Sequence, residues 1–286
     1  MTNMPNYLSN DVVKAIQEFI NMEGLDSIYD DALPLGRRIF DIVQKKCVVV
    51  FYPIMDAYEK NDGFLLADMP LNNGEMMNIM YINTFQTEEK QVFAAAHELG
   101  HYLKVDTYVR EKCNCMVDSE DIVNRFAAEL LMPRRHFRDT FFEFAKSKES
   151  INGTLNNYSM LECIVEMMNW FTVPYNATVI RLVEVEIISR NDGIMLVDGD
   201  ERLAKDIIQK TVRKISSLEK YTNLNVISKR REIVGIDKYK NLDNLLKKAD
   251  EDGLISDVKM NRLREEFGIV NDVKDVFKNT IKITEE

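Results

Sequence analysis

Cysteine, histidine and tryptophan are scarce in this chain, and long apolar runs do not occur. Its 286 residues include 4 cysteines, 3 histidines and 1 tryptophan. Four cysteines in a chain of this length do not make a disulfide framework. Since no run of about 18 apolar residues is present, no membrane span is expected. The first 13 residues lack the basic start and apolar core of a secretory signal, so we expect a cytoplasmic location.

Basic charge is also in short supply. Lysine and arginine total 37 against 47 acidic residues, which gives a net charge of −10. A dedicated nucleic-acid binder depends on clustered basic residues, so this balance argues against direct nucleic-acid binding. The basic clusters at 134–138 and 229–231 are more typical of solvated helix faces. The composition, 45% hydrophobic and 29% charged, is that of a globular protein.

Two of the three histidines stand four residues apart, in the sequence His97-Glu98-Leu99-Gly100-His101. On a helix, this H-E-x-x-H spacing places both imidazoles on one face, where both can bind one metal ion. Glu98 points about 100° away from His97 and could reach a water on that ion. The pattern is typical of zinc peptidases, with two ligands, a general base and an open coordination position.

The residues around the motif predict a helix over 87–103. Thr87 is a suitable N-cap, and two glutamates follow in the first turn, where the helix dipole favours negative charge. Gly100 costs about 1 kcal/mol relative to alanine inside a helix. We therefore expect a packing reason for it, such as the close approach of another element.

A catalytic zinc site needs a third protein ligand, and here a carboxylate is expected. The candidates are Asp106, Glu111, Asp118, Glu120, Asp121 and Glu129. Residues 119–132 predict an amphipathic helix in which Glu120 lies at the edge of the apolar face. Glu129 is predicted on the solvent side, and Asp121 lies between them. Glu120 fits best on geometry and Asp121 is the fallback, although either could be an N-terminal charge that answers the helix dipole.

The two motifs together resemble the ImmA/IrrE family of bacterial metallopeptidases. Residues 93–101 resemble its F-x-x-A-H-E-L-G-H helix, and residues 120–133 resemble its E-x-x-A-N-x-F-A-A-x-L-L-M-P segment. Residues 170–182 resemble its F-x-V-S-x-x-A-x-x-x-R-L segment. Val123 stands where the family has alanine, and Pro174 stands where serine is common. The resemblance covers roughly residues 35–190.

The resemblance implies a site and a biological role. It places Glu120 at the third metal ligand, with His97 and His101, and Glu98 as the catalytic base. Zinc is the expected ion, although Mn²⁺ or Fe²⁺ could occupy such a site. Family members typically cleave a helix-turn-helix repressor of a phage, mobile or defence element under stress. The implied partner is therefore a protein substrate, and not nucleic acid or membrane.

We predict an α+β fold, with a small twisted sheet beside a zincin-like metal helix and a largely helical C-terminal region. The predicted parts are a helical segment at 1–34, the metallopeptidase domain at 35–150, a winged-helix-like extension at 151–195, and a helical region of unknown role at 196–286. Within the last two parts, 190–193 predicts a turn and 194–197 a short strand. Helices are predicted over 201–221 and 238–268.

Several other residues could act on the site. Residues 77–83 predict a strand, which could be the edge that pairs with extended substrate. Cys113 or Cys115 could bind the metal in a resting state, since thiolates are good zinc ligands; the alternative is two reduced loop cysteines. His136 and Tyr102 could stabilise an oxyanion, but neither is favoured.

Two other functions remain open. The metal site could be structural support in a non-proteolytic interaction protein, although such a site needs neither a base nor an open position. The chain could also be a broad cytoplasmic peptidase without a dedicated repressor.

Overall fold

The described part of the chain contains two helices, then a small sheet and then a series of helices. The computed structural model describes residues 4–5, 8–26, 33–52, 62–70, 76–148 and 155–198. Its strands are β1 (Val48–Tyr52), β2 (Gly63–Pro70) and β3 (Met76–Asn83). Its helices are α1 (Asn10–Met22), α2 (Ile39–Lys46), α3 (Glu88–Tyr102), α4 (Val105–Cys113), α5 (Ser119–Leu131), α6 (Arg134–Lys146), α7 (Asn157–Phe171), α8 (Tyr175–Glu184) and α9 (Arg190–Asp198). The predicted α+β class is confirmed. The helices predicted over 201–221 and 238–268 lie outside the described residues.

The three strands form a mixed sheet in the order β1-β3-β2. β1 runs parallel to β3, with Tyr52 beside Asn83. On the other side of β3, the N–H of Asn83 donates to the carbonyl of Asp62 at 3.0 Å. Farther along, the N–H of Asp68 donates to Asn78 Oδ1 at 2.9 Å. These two contacts show that β2 runs antiparallel to β3.

The prediction that 77–83 forms an edge strand is wrong, because β3 lies between the other two strands. Among the described strands, β2 forms the edge of the sheet on the side opposite β1. The sequence of β2 does not predict a strand, because a half-buried strand should alternate apolar and polar residues. In β2 three consecutive residues, Leu66, Ala67 and Asp68, are exposed instead.

The core around the metal helix forms where α5 and α1 pack together. The predicted apolar face of α5 is confirmed, since its members are all buried: Val123, Phe126, Ala127, Leu130 and Leu131. Phe19 of α1 contacts Phe126 with ring centroids 6.2 Å apart. Full burial of a side chain such as Phe126 stabilises the fold by about 1.5–3 kcal/mol. Helix α5 is therefore held from its buried side while its first turn stays near solvent.

The prediction that Glu129 lies on the solvent side of α5 is wrong. Its side chain is 4% exposed and forms an ion pair with the fully buried Arg181 of α8. Helical phase could not reveal this contact, because the partner lies 52 residues further along the chain. Burial alone would raise the pKa of Glu129, but Arg181 and Arg125 lower it to about 2. Glu129 is therefore a buried carboxylate that remains charged.

The basic cluster at 134–138 is only partly a solvated face. Arg135 is almost fully exposed. Arg134, by contrast, donates to the carbonyl of Glu184 at 3.1 Å, and Arg138 donates to the carbonyl of Val185. These arginines satisfy carbonyls at the C-terminal end of α8, where the helix dipole favours positive charge.

The turn predicted at 190–193 and the strand predicted at 194–197 are wrong, because both lie within α9. Hydrogen bonds between Ser189 and Asp192 stabilise the start of this helix. The N–H of Asp192 donates to Ser189 Oγ at 3.1 Å, and that hydroxyl donates to Asp192 Oδ2 at 2.6 Å. This contact holds the start of the helix in the manner of a capping residue. A Cβ at Gly193 would lie 2.4 Å from Val183 Cγ2, so glycine here permits close packing against α8.

None of the described helices is both long and apolar enough to cross a membrane. The longest, α3 and α7, have 15 residues each. A membrane-spanning helix needs about 20.

Candidate metal centre

Helix α3 carries both histidines of the H-E-x-x-H motif into one cleft. Thr87 occupies its N-cap position and Leu103 its C-cap, as the sequence predicted, although the Thr87 hydroxyl makes no capping hydrogen bond. The spacing of four residues brings His97 and His101 to the same side, with ring centroids 4.8 Å apart.

The side chains of three residues, His97, His101 and Glu120, converge at this point. His97 Nε2 lies 3.1 Å from His101 Nε2. Glu120 of α5 places Oε2 3.3 Å from His97 Nε2 and Oε1 3.3 Å from His101 Nε2. Ligand atoms held at 2.0–2.1 Å around one tetrahedral ion would themselves be about 3.3 Å apart. The spacing of these nitrogen and oxygen donors therefore fits a zinc-sized divalent ion.

Asn124 orients the first histidine. Its Oδ1 lies 3.0 Å from His97 Nδ1. When Nδ1 carries the ring proton, it donates to this amide oxygen and leaves the lone pair of Nε2 free for a metal. Asn124 follows Glu120 by one helical turn, so α5 contributes one candidate ligand and one supporting group from the same face.

Burial of the imidazole also favours a neutral ring at His97. Together with the neighbouring charge of His101, burial lowers the pKa of His97. The hydrogen bond that His97 donates to Asn124 and the charge of Glu120 act in the opposite direction, because both raise the pKa of His97. A neutral imidazole is the form that binds metal.

Glu98 lies in the same cleft but outside the triangle of donors. Its side chain is buried, and the backbone N–H of Leu65 in β2 donates a hydrogen bond to its carboxylate. Burial raises the pKa of Glu98 to about 7, and the charge of Glu120 adds to this increase. A carboxylate held beside an open coordination position is suited to receive a proton from a water there.

The first turn of α5 presents Glu120 from a defined but solvent-accessible position. Asp118 caps the helix and accepts the N–H of Glu120 at 2.8 Å. Ser119 Oγ donates to Asp106 Oδ2 at 2.7 Å, which connects the start of α5 to α4. The Glu120 side chain is nevertheless 62% exposed. Asp121, the fallback ligand, does not belong to the converging group found among the described residues.

The structure does not bring the two loop cysteines to the donors. Neither Cys113 nor Cys115 lines the cleft. The thiol of Cys113 lies near the thiol of Cys115 and near the charged side chains of Asp11 and Lys112. All four cysteines of the chain are free, and burial raises the pKa of Cys163 to about 11. Cys163 is thus a core residue.

The two candidate electrophiles also lie outside the cleft lining. His136 is half-buried, and its ring centroid lies 5.3 Å from that of Phe171. Tyr102, next to His101 in sequence, is half-buried as well. Neither residue lines the cleft.

The cleft has a volume of about 750 Å³ and runs between β2 and α3. Two ion pairs connect the segment around β2 to α3 and to the residues directly after α3. Asp62 Oδ1 lies 3.8 Å from Lys90 Nζ at one end, and Asp68 Oδ2 lies 3.7 Å from Lys104 Nζ at the other. The lining residues are Asp62, Gly63, Phe64, Leu65, Ala67, Lys90, Phe93, Ala94, His97, Glu98, His101, Glu120, Asn124 and Pro174.

Sequence reasoning missed two contributors to this site. The hydrogen bond from Leu65 required knowledge of β2, whose pattern does not predict a strand. Asn124 could have been found, because it lies one turn after Glu120 and its amide can orient a ligand histidine. The signal in the sequence is that Asn124 is a second polar residue on the same face of α5 as Glu120.

Gly100 has the packing role that its helix position predicted. A Cβ at this position would lie 2.9 Å from Phe126 Cδ1 and 3.0 Å from Val123 Cγ1. Both neighbours are fully buried side chains of α5. Glycine therefore lets α3 and α5 approach closely enough for Glu120 to reach the histidines.

Gly100→Val is expected to destabilise the protein by about 1–3 kcal/mol, the usual cost of overpacking. The added side chain should push α5 away from α3 and weaken zinc binding as well. Urea denaturation and a zinc titration measure the two effects. Glu111→Val, at an exposed position of α4, controls for the lower helix propensity of valine. Equal stability and zinc affinity in Gly100→Val and Glu111→Val would contradict this role.

A family model and a solved structure are similar to parts of this chain. Residues 44–183 match a family model described as IrrE N-terminal-like domain, Peptidase_M78. A solved structure described as a Mycobacterium tuberculosis transcriptional regulator is similar at 12% identity and a TM-score of 0.37. That similarity covers 61% of this chain and 47% of the other, so the chain spans about half the length of that solved protein. A search of curated proteins finds no match.

A small sheet beside an H-E-x-x-H helix, with a carboxylate from the next long helix, is the arrangement of a metallopeptidase. The family match covers the strands β1 to β3 and the helices α3 to α7. The match over residues 44–183 supports the ImmA/IrrE family assignment that the resemblance in the sequence predicted.

Proposed function

We propose that this chain is a zinc-dependent endopeptidase whose metal is held by His97, His101 and Glu120. The observation that supports it most directly is the triangle of two imidazole nitrogens and one carboxylate, with sides of 3.1–3.3 Å. When bound, a divalent ion would polarise the scissile carbonyl and make a water molecule more acidic. Mn²⁺ or Fe²⁺ could occupy the same donors.

Glu98 is the proposed general base. It takes a proton from the attacking water and delivers it to the leaving amine, so its carboxylate must point into the cleft without occupying a ligand position. The hydrogen bond from the Leu65 N–H holds it there. Asn124 keeps His97 in the tautomer that leaves Nε2 free. Both supports come from the backbone or from an uncharged amide, so neither competes for the ion.

The substrate is proposed to lie in extended form along β2. This strand replaces β3 as the candidate edge, since β2 lines the cleft and carries no further partner among the described strands. Main-chain hydrogen bonds to a strand edge supply affinity without requiring a particular side chain. Selectivity must therefore come from the apolar and charged side chains around the cleft.

We propose a helix-turn-helix repressor in the cytoplasm as the substrate, cleaved in response to stress. The family resemblance supports this role, and the net charge of −10 favours a protein partner over DNA. The test is to incubate the zinc-loaded chain with repressors encoded beside it and to follow cleavage by mass spectrometry. Glu98→Gln serves as the inactive control. Cleavage at one bond supports the proposal, whereas equal cleavage of casein would favour a broad peptidase.

A further inference from the structure

A buried cluster of four charged residues joins α5 to α8. Its members are Arg125, Glu129, Arg181 and Glu184. The side chains of Arg181 and Glu129 are 0% and 4% exposed. Burying charges is unfavourable unless they are paired with good geometry, so a cluster of this kind is weak evidence for stability alone. Its geometry indicates what else it does.

Arg181 holds α5 through three directed hydrogen-bond positions. Its Nη1 and Nη2 donate to the two carboxylate oxygens of Glu129, each at 2.8 Å. Its Nε donates to the carbonyl of Met132 at 2.9 Å, at the C-terminal end of α5. A planar guanidinium that contacts a helix at two residues fixes both the rotation of that helix and its position along its axis.

The rotation of α5 matters because this helix also carries the site residues. Glu120 and Asn124 lie on α5, and the Glu120 side chain is largely exposed, so few neighbouring side chains confine it. The close packing of Gly100 against Val123 and Phe126 restrains the middle of α5 from one side. Arg181 restrains its far end. Together the two contacts define where the first turn of α5 points.

We infer that Arg181 and Glu129 are positioning residues, which hold α5 in the rotation that brings Glu120 to the two histidines. The inference rests on the proposed metal site and does not depend on which substrate is cleaved. It also assigns α8 a role in the site, because a displacement of α8 would be transmitted to Glu120 through this guanidinium. Helix α8 is thus coupled to the third ligand.

The decisive variant is Glu129→Met with Arg181→Met. Replacing both members of a buried pair with apolar side chains of similar size often preserves stability. Arg125 and Glu184 remain paired with each other, since Arg125 Nη1 lies 2.8 Å from Glu184 Oε1. The fold should persist while the directional restraint on α5 is lost. Circular dichroism and thermal unfolding verify that the variant is folded.

Zinc affinity, measured by competition with a chelator, is the main readout. We expect the double variant to bind zinc at least 10-fold more weakly than wild type, the usual effect of losing groups that support metal ligands. The visible spectrum of the Co²⁺-loaded variant should shift toward that of Glu120→Ala. The matched control is Lys148→Met with Glu166→Met, which removes a part-buried pair at 2.6 Å between the end of α6 and α7. Its zinc affinity should stay within 2-fold of wild type.

A folded double variant that binds zinc as tightly as wild type would overturn the inference. If the double variant fails to fold, Arg181→Lys decides, because lysine keeps the charge but cannot form the planar three-way contact. It should weaken zinc binding at least 3-fold, and unchanged affinity would overturn the inference. A wild-type chain that binds no zinc would overturn the proposed metal site itself, which is a distinguishable result.

Discussion

Glu98→Gln is expected to reduce peptide hydrolysis by about 10²–10⁴-fold, the range that general acid–base catalysis contributes. Glutamine has nearly the same shape, and its amide oxygen can still accept the hydrogen bond from the Leu65 N–H. It cannot take a proton from water, however. Zinc content should be unchanged, because Glu98 is not one of the converging donors. Initial rates on a fluorescence-quenched peptide library or an identified repressor measure the loss.

Glu89→Gln is the matched control for this substitution. Glu89 lies on the same helix, is similarly buried, and also has a pKa that burial raises to about 7. It does not line the cleft. Its substitution should leave the hydrolysis rate within about 3-fold of wild type, since it lacks contact with the reacting groups. Wild-type rates in Glu98→Gln would contradict the assignment of the base.

Arg181→Met is expected to lower the free energy of unfolding by about 3–5 kcal/mol. The substitution removes the bidentate partner of Glu129 and leaves Arg125 as the cation paired with that buried carboxylate. The carbonyl of Met132 would also lose its donor. This is a large fraction of the 5–15 kcal/mol that stabilises an ordinary domain. Urea denaturation at pH 7 measures the loss.

The double variant Glu129→Met with Arg181→Met isolates the cause of that loss. If an uncompensated charge is responsible, removing the carboxylate as well should restore most of the stability, because no buried ion is then left without its partner. The double variant should be clearly more stable than Arg181→Met alone. Equal stability of the single and double variants would show that packing, rather than charge, dominates at this position.

The metal helix and its partner helix could be predicted almost completely from the sequence. The spacing of His97 and His101, the N-cap at Thr87 and the apolar face of α5 each depend on neighbours within a few residues. Helical phase alone favoured Glu120 as the third donor, and the structure places its carboxylate beside both histidines. Local periodicity contains this information, since a helix fixes which residues share a face.

Features that depend on distant parts of the chain could not be predicted. The burial of Glu129 is one such feature, because nothing within α5 indicates that Arg181 of α8 covers it. The central position of β3 cannot be read from its own residues, because it depends on pairing with β1 and β2. The segment 190–197 contains Asn-Asp-Gly, a turn signal, yet forms α9. Glycine there serves packing against Val183 rather than a turn.

The metal content of purified wild-type, His97→Ala and Glu120→Ala proteins, determined by mass spectrometry after zinc loading, tests the central claim most directly. The three-donor site predicts close to one zinc per wild-type chain, with near-complete loss in His97→Ala and in Glu120→Ala. Full zinc retention in Glu120→Ala would show that the third ligand lies elsewhere. No zinc in the wild-type protein under any loading condition would contradict the metallopeptidase assignment of this site.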